Sequence, residues 1–281
     1  MKNLLLLAIT AVFLIGGCSS KPKEEVILLQ PYTDAIAALN DINMAVVQKF
    51  KEYDAEMAYA SLRLDRLGMT AARSEVIVAS LQRIDGYVRL SGTLNTSGKR
   101  LYTTPMKYFQ ASGGGETISN APAIMEQVRR GRKVLSDAYQ NKCNELVVDY
   151  ICPVKGDDEI VHGAIYMQIA ITELLRHYVT ERITAMPVNV WVMQTDGLLV
   201  YDTSPEEINQ NILTGDYFKD YPSLIQLAQK IANFETGTGS YRYLTKGNKV
   251  EMVKNAQWNS VTLGGRQLRL VLNVEDRSYA K

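Results

Sequence analysis

The sequence predicts an α+β protein: a long N-terminal helix followed by two similar modules, each a five-stranded antiparallel sheet with flanking helices. A Ser-Gly or Asp-Gly pair between apolar and β-branched residues occurs at positions 96–104 and again at 195–203, an offset of 99 residues. Glycine takes positive φ in a tight hairpin without strain, so each copy predicts strand, turn, strand. An offset of that size matches a small domain, which indicates a duplicated module.

The N-terminus predicts the compartment. Lys2 precedes an apolar stretch over residues 4–15 that is too short to span a bilayer, and Gly16-Gly17-Cys18 resembles a lipoprotein cleavage site. We expect residues 1–17 to be a signal peptide, Cys18 to carry lipid, and residues 18–29 to tether the protein on the periplasmic side of a membrane, with the outer membrane as one location. The alternative is an ordinary secretory signal with an incidental cysteine. No later apolar run is long enough for a transmembrane helix, so we expect the lipid alone to provide attachment.

Composition and motifs argue against several functions. Residues 18–281 carry 30 basic and 30 acidic side chains, and this balance gives no basis for a nucleic-acid partner. His162 and His177 do not form a metal-ligand spacing, and neither a zincin nor a nucleophile-elbow motif occurs. The glycine-rich stretches lack the Gly-Lys-Ser/Thr of a phosphate loop. We therefore expect no enzymatic activity, metal or cofactor.

Two cysteines remain after Cys18. A strand predicted over residues 145–154 would hold Cys143 and Cys152 farther apart than the roughly 7 Å between Cα atoms that a disulfide allows. We expect both thiols to be unpaired, with Cys152 buried.

The first predicted element is a helix over residues 30–68. Apolar residues follow at steps of three or four, Thr33 and Asp34 are candidate caps after Pro31, and Gly68 is a candidate end. At 1.5 Å per residue such a helix is roughly 50 Å long, more than the width of one small domain. We expect it to pack along both modules, which the pattern places at residues 69–183 and 184–281. The alternative is a coiled coil in a homodimer, and its outer face is also available for dimerisation.

The two copies carry recognisable motifs. The second copy contains Val190-Trp191-Val192-Met193, Tyr201-Asp202, Pro205-Glu206-Glu207-Ile208, Gly237-Thr238-Gly239 and Trp258-Asn259-Ser260-Val261. The first copy contains Ser97-Gly98, Pro105, Tyr108, Ile118-Ser119, Val134-Leu135-Ser136 and Pro153-Val154. Over about residues 30–275 these motifs resemble the PAS-like double Cache family of extracytoplasmic sensor domains, the second copy being similar to the membrane-proximal module and the first to the distal module. Asn209 and Leu268 depart from the pattern of relatives, which often have glycine and tryptophan there.

This resemblance implies that a small molecule binds beneath helices and loops on one face of a sheet, usually in the distal module. A binding pocket combines an apolar floor with a few converging polar groups. The polar candidates in the first copy are Tyr102, Tyr108, Ser119, Arg129, Arg130, Ser136, Asp137, Tyr139, Asp149 and Tyr150.

Each candidate also has a structural interpretation. Strand alternation places Tyr150 and Cys152 on one face and Asp149 on the other, so Asp149 is either an edge-strand charge or a buried group that needs a partner. A solvated helix end explains Arg129 and Arg130 equally well. In the second copy, Asp196 and Asp202 are expected to serve turn geometry, and Trp191 and Trp258 to pack in the core. Tyr201 and Tyr241 belong either to the core or to the wall of a second pocket.

The expected function is that of a lipid-anchored sensor that binds an organic acid, an amine or another metabolite. The family's Arg-x-Trp pattern for amino acids is missing from the sequence. We expect the signal to pass to a separate membrane protein. The alternative is a structural lipoprotein without ligand, whose long helix docks a membrane protein.

Overall fold

The computed structural model describes residues 29–69, 71–244 and 251–276. The predicted signal peptide, Cys18 and most of the predicted tether lie outside these residues. The helices are α1 (Leu29–Leu67), α2 (Ala71–Gln82), α3 (Met106–Ala111), α4 (Ala121–Arg129), α5 (Ile171–Ile183) and α6 (Pro222–Asn233). The strands are β1 (Val88–Leu94), β2 (Arg100–Thr104), β3 (Val134–Leu135), β4 (Tyr139–Gln140), β5 (Leu146–Lys155), β6 (Val161–Ala170), β7 (Val188–Gln194), β8 (Leu199–Asp202), β9 (Gly237–Leu244), β10 (Glu251–Leu263) and β11 (Arg266–Asp276).

The long helix begins earlier than its sequence predicts. Thr33 and Asp34 lie inside α1, which starts at Leu29, so their prediction as caps is wrong. Pro31 is tolerated because the first helical N–H groups have no intrahelical acceptor. The predicted end is confirmed: Gly68 has φ of +83° and its N–H donates to the Leu64 carbonyl at 2.8 Å.

Two antiparallel sheets follow with the same strand order. The first is β2-β1-β6-β5-β3, with β4 also paired to β5, and the second is β8-β7-β11-β10-β9. The first sheet has six strands rather than the expected five, because the chain between residues 134 and 140 forms two short strands that pair separately with β5. Both predicted hairpin glycines are confirmed, Gly98 with φ of +83° and Gly197 with φ of +93°. Asn209 adopts a φ of +67°, which asparagine tolerates.

Helix α1 packs against both sheets, as its predicted length led us to expect. Its Ser61 hydroxyl donates to the Pro153 carbonyl of the first sheet at 2.9 Å. Its Asn43 amide donates to the Ser260 carbonyl of the second sheet at 2.8 Å. One apolar core contains the inner face of α1 together with side chains from both sheets. Helix α4 covers the other face of the first sheet, and α6 covers the other face of the second.

Cys143 and Cys152 are both free, the first exposed and the second buried. Within the described ranges, no helix combines the length and apolar character needed to cross a membrane. Nor do these ranges bring together three or more His, Cys, Asp or Glu side chains in a way that could hold a metal ion.

Candidate ligand-binding cavity of the first module

A cavity of about 300 Å³ lies over the first sheet, on the face that α1 does not cover. Its floor is built from β1, β4 and β6, and its wall comes from the segment that joins β2 to α4. The polar residues that line it are Arg100, Ser112, Thr117, Ser119, Tyr139, Asn141 and Gln168. Apolar surface comes from Leu90, Phe109 and Ile118. A few polar groups over an apolar floor are the usual composition of a small-molecule site.

A buried polar network forms the floor. The Gln168 amide nitrogen donates to the Tyr139 hydroxyl at 2.7 Å, and that hydroxyl donates to Asp149 Oδ2 at 3.1 Å. Asp149 pairs with Gln168 across β5 and β6 and is 1% exposed. The pKa of Asp149 is raised because burial outweighs the nearby Arg100 charge and the hydrogen bonds from Tyr139 and Gln168. Asp149 therefore lies directly behind the cavity wall and fixes the orientation of two lining residues.

Gln168 carries the most informative atom of the cavity. The side chain is only 4% exposed, yet its Oε1 has no hydrogen-bond partner among the described residues. An unsatisfied buried carbonyl costs free energy, commonly about 1–3 kcal/mol. A ligand with an N–H or O–H group in the cavity would remove this cost.

Arg100 positions the wall of the cavity. Its guanidinium donates to the Tyr166 hydroxyl at 3.1 Å, to the Gly115 carbonyl at 2.6 Å and to the Thr117 carbonyl. The same guanidinium lies 5.4 Å from the centre of the Phe109 ring, a distance at which the ring face attracts a cation. Arg100 thus ties the wall segment to the sheet and leaves a positive group at the cavity.

The glycine stretch 113–115 allows the wall to approach Phe109. A Cβ at Gly114 would lie 2.0 Å from the Phe109 ring, and Gly113 has φ of +77°. Any larger residue at Gly114 would therefore displace the ring and change the cavity. The loop's role is steric, since the sequence carries no phosphate-loop motif.

The structure separates the predicted site residues into groups. Tyr139 and Ser119 line the cavity, and Asp149 lies behind it. Ser136 is buried beside Asp149, where its hydroxyl accepts the Asp149 backbone N–H at 2.8 Å. Tyr108 lies next to the cavity and accepts a hydrogen bond from Asn141 at 2.7 Å while donating to Glu145.

The other predicted residues lie elsewhere. Tyr102 and Tyr150 pack into the core on the α1 face, and the Tyr150 hydroxyl donates to Asp54 of α1. Asp137 forms an ion pair of 2.9 Å with Arg266, which joins the first sheet to the hairpin β10–β11. Arg129 and Arg130 are exposed and pair with Glu126 at 2.9 Å and 2.7 Å. Whether any of these side chains contacts a ligand stays a prediction.

Sequence reasoning overlooked Arg100, Asn141 and Gln168. Gln168 had a usable signal, because it is the only polar side chain between Ile165 and Ala170 apart from the Tyr166 hydroxyl. The argument applied to Asp149, that a polar residue inside an apolar strand needs a partner, applies to it equally. Arg100 and Asn141 had no such signal, since each follows a turn where polar residues are common.

The fold is that of extracellular ligand-binding sensor domains. No known protein family matches the sequence, and no curated protein does. Solved structures do match. The extracellular ligand-binding receptor from Desulfohalobium retbaense DSM5692 aligns with a TM-score of 0.66 and 22% identity, over 88% of this chain and 41% of that one. The chain thus spans about two fifths of that receptor.

Two chemoreceptor domains align over nearly their whole length. The ligand-binding domain of the Pseudomonas aeruginosa PAO1 amino acid chemoreceptor PctB, in complex with L-Arg, has a TM-score of 0.59 and 12% identity, covering 89% of this chain and 96% of that one. The periplasmic sensory domain of the Campylobacter jejuni chemoreceptor Tlp1 has a TM-score of 0.54 and 12% identity, covering 89% and 97%. At these identities the likeness establishes the fold alone.

Proposed function

We propose that this chain is an extracytoplasmic, lipid-anchored sensor that binds a small polar molecule in the cavity of the first module and passes the signal to a separate membrane protein. The observation that carries the proposal is the unpartnered Oε1 of Gln168 in a cavity of about 300 Å³. The structural neighbours support a sensing role, because they are ligand-binding domains of receptors and chemoreceptors. The lipid anchor rests on the sequence around Cys18.

The chemistry of the wall limits the ligand. Gln168 Oε1 requires a hydrogen-bond donor, while the guanidinium of Arg100 favours an oxygen or an aromatic group. A compact metabolite that carries both a donor and an acceptor satisfies both sides. Organic acids with hydroxyl or amino groups meet this requirement.

One observation favours the alternative, a structural lipoprotein that docks a membrane protein. On α1, Met44, Tyr59 and Leu62 are 63%, 60% and 64% exposed. Tyr59 and Leu62 are three residues apart and share one face of the helix. That face is suited to a partner helix or to a second copy of the chain.

The deciding experiment is a thermal-shift screen of the full chain against metabolites, followed by titration of each hit. Ligand at 100 times its dissociation constant adds about 2.7 kcal/mol to the free energy of unfolding. We expect Gln168→Met, which keeps the side-chain length and removes both polar atoms, to weaken a hit at least tenfold. Asn273→Leu, at the equivalent position of the second sheet, is the matched control and leaves the affinity unchanged. Hits that Gln168→Met leaves unchanged and Asn273→Leu weakens would overturn the assignment to the first cavity, whereas the absence of any hit would favour the docking alternative.

A further inference from the structure

A second cavity, also about 300 Å³, lies over the second sheet on the face opposite α1. Aromatic rings dominate its wall. Trp191, Phe218 and Tyr241 are buried there, Tyr221 and Tyr243 are half-buried, and Tyr217 is 37% exposed. The faces of such rings carry negative potential and attract cations.

Asp202 brings a carboxylate into this aromatic cavity. The side chain is 7% exposed. The backbone N–H of Ser204 donates to its Oδ1 at 2.7 Å, and the Thr203 hydroxyl reaches the same oxygen at 3.5 Å. Neither of these donors is directed at Oδ2. Burial raises the pKa of Asp202 to about 7, so a cation beside it would stabilise its ionised form.

Asn273 provides a buried hydrogen-bond acceptor that is independent of Asp202. It is 2% exposed, and its Nδ2 donates to the Tyr241 hydroxyl at 3.2 Å. Its Oδ1 is buried without a hydrogen-bond partner among the described residues. An amide oxygen can only accept a hydrogen bond, so a ligand that satisfies Asn273 Oδ1 has to supply a donor.

The charges that line the cavity have the sign that suits a cation. Glu206 and Glu207 lie on its rim with Asp202, against one lysine, Lys254. Both glutamates interact with other residues, so the inference depends on Asp202 and Asn273. The Lys254 ammonium lies 4.3 Å from the centre of the Tyr243 ring, and burial lowers its pKa. Lys254 is thus a positive charge within the cavity, and it would repel a positively charged ligand.

We propose that the cavity over the second sheet binds a small organic molecule through a protonated primary or secondary amine. Its N–H groups donate to Asp202 and to Asn273 Oδ1, while the aromatic wall covers the charge. This inference goes beyond the proposed function, which concerns the other cavity, and either can fail without the other.

Calorimetric titration of the full chain with four compounds that each carry one polar group on a phenyl ring through a single carbon tests the proposal. They are benzylammonium, benzyl alcohol, benzoate and benzyltrimethylammonium, which differ in charge and in N–H or O–H donors, the last being also bulkier. We expect benzylammonium to bind at least tenfold more tightly than each of the others. Equal or tighter binding of benzoate would overturn the proposal and indicate an anion site at Lys254.

Variants locate the site. Asp202→Asn and Asn273→Leu should each weaken benzylammonium at least tenfold, while Lys254→Met should tighten it severalfold by removing the competing charge. The tightening is a result that loss of folding cannot produce. Gln168→Met is the matched control in the first cavity and should leave benzylammonium unaffected. Undiminished binding in both Asp202→Asn and Asn273→Leu would overturn the proposal. Metabolite hits that respond only to Gln168→Met would still support the proposed function.

Discussion

The two cavities contain the same buried hydrogen-bonding arrangement at equivalent places in their sheets. Gln168 in β6 and Asn273 in β11 each donate a side-chain N–H to a tyrosine hydroxyl, Tyr139 and Tyr241 respectively. In both, the amide oxygen has no hydrogen-bond partner within the part of the chain that the structure describes. The tyrosines occupy matching strands, since β4 pairs with β5 as β9 pairs with β10. The two sheets therefore present the same kind of acceptor to their cavities.

The cavities differ in the position of the acid. In the first sheet Asp149 lies opposite Gln168, whereas in the second sheet Ala256 lies opposite Asn273. The second sheet carries its acid on the edge strand, at Asp202. The first sheet has Thr103 at that place, because Gly92 pairs with Thr103 as Trp191 pairs with Asp202.

This shift changes what each acid can do. Asp149 is covered by Tyr139 and Gln168 and acts on a ligand only through them, whereas Asp202 lines its cavity. Gly92 contributes to the difference, since a Cβ there would lie 2.3 Å from the Tyr102 carbonyl oxygen. The second sheet has the large ring of Trp191 at the same place. One strand order thus supports two cavities of different chemistry.

The largest expected effect is on the free energy of unfolding, at two buried positions beneath the cavity floors. Trp258 and Ile151 are equivalent positions, 1% and 0% exposed. We expect Trp258→Ala to lower the free energy of unfolding by about 3–5 kcal/mol, and Ile151→Ala by about 2–3 kcal/mol. The tryptophan substitution removes more buried surface, and it also removes the indole N–H that donates to the Phe234 carbonyl at 3.0 Å. Urea denaturation followed by circular dichroism measures both. The reverse order would show that the second floor is less tightly packed than its burial indicates.

The next largest expected effect is a pH dependence of stability, which Asp202 of the second cavity causes. The folded state raises the pKa of Asp202 from 3.8 to about 7, because burial and Glu207 outweigh Lys254 and the Ser204 N–H. The folded protein therefore holds a proton that the unfolded chain has lost, and stability falls as pH rises from about 4 to 7. The Asp202→Asn variant has no carboxyl group at this position, so it does not lose stability in this way as the pH rises. Relative to wild type, its free energy of unfolding should rise by roughly 3 kcal/mol between pH 5 and pH 8.

Urea titrations of the ligand-free protein at the two pH values measure this difference, and Asp149→Asn is the comparison. The pKa of Asp149 is also raised, so wild type carries both contributions and each variant removes one. A flat difference between wild type and Asp202→Asn would mean that Asp202 is ionised throughout this range.

Much of the fold could be predicted from the sequence because its signals are local. The spacing of apolar residues predicts α1, and the glycines at the two hairpins predict β1–β2 and β7–β8. Alternation in β5 correctly places Tyr150 and Cys152 on the α1 face. The first turn of α1 and the interruption between β3 and β4 could not be predicted, because both depend on contacts made by distant segments.

Less of the candidate site could be predicted. Asp149 and Tyr139 stand out because each is polar next to buried positions. The sequence leaves the second cavity open as an alternative, because Tyr201 and Tyr241 have the same pattern in a packed core as in a pocket wall. Only the distance between the sheet and the segment 204–224 decides between them, and no local pattern encodes that distance.

The smallest expected effect concerns Arg129 and Arg130, the two predicted site residues farthest from a buried environment. Both are exposed at the end of α4 and share the Glu126 carboxylate, whose pKa they lower. Surface ion pairs contribute little to stability because solvent screens them. We expect Arg129→Ala and Arg130→Ala to leave the melting temperature and the affinity for every screened metabolite unchanged within error. A loss of affinity in either variant would extend the proposed first site to the end of α4, well beyond the buried amide that the two cavities have in common.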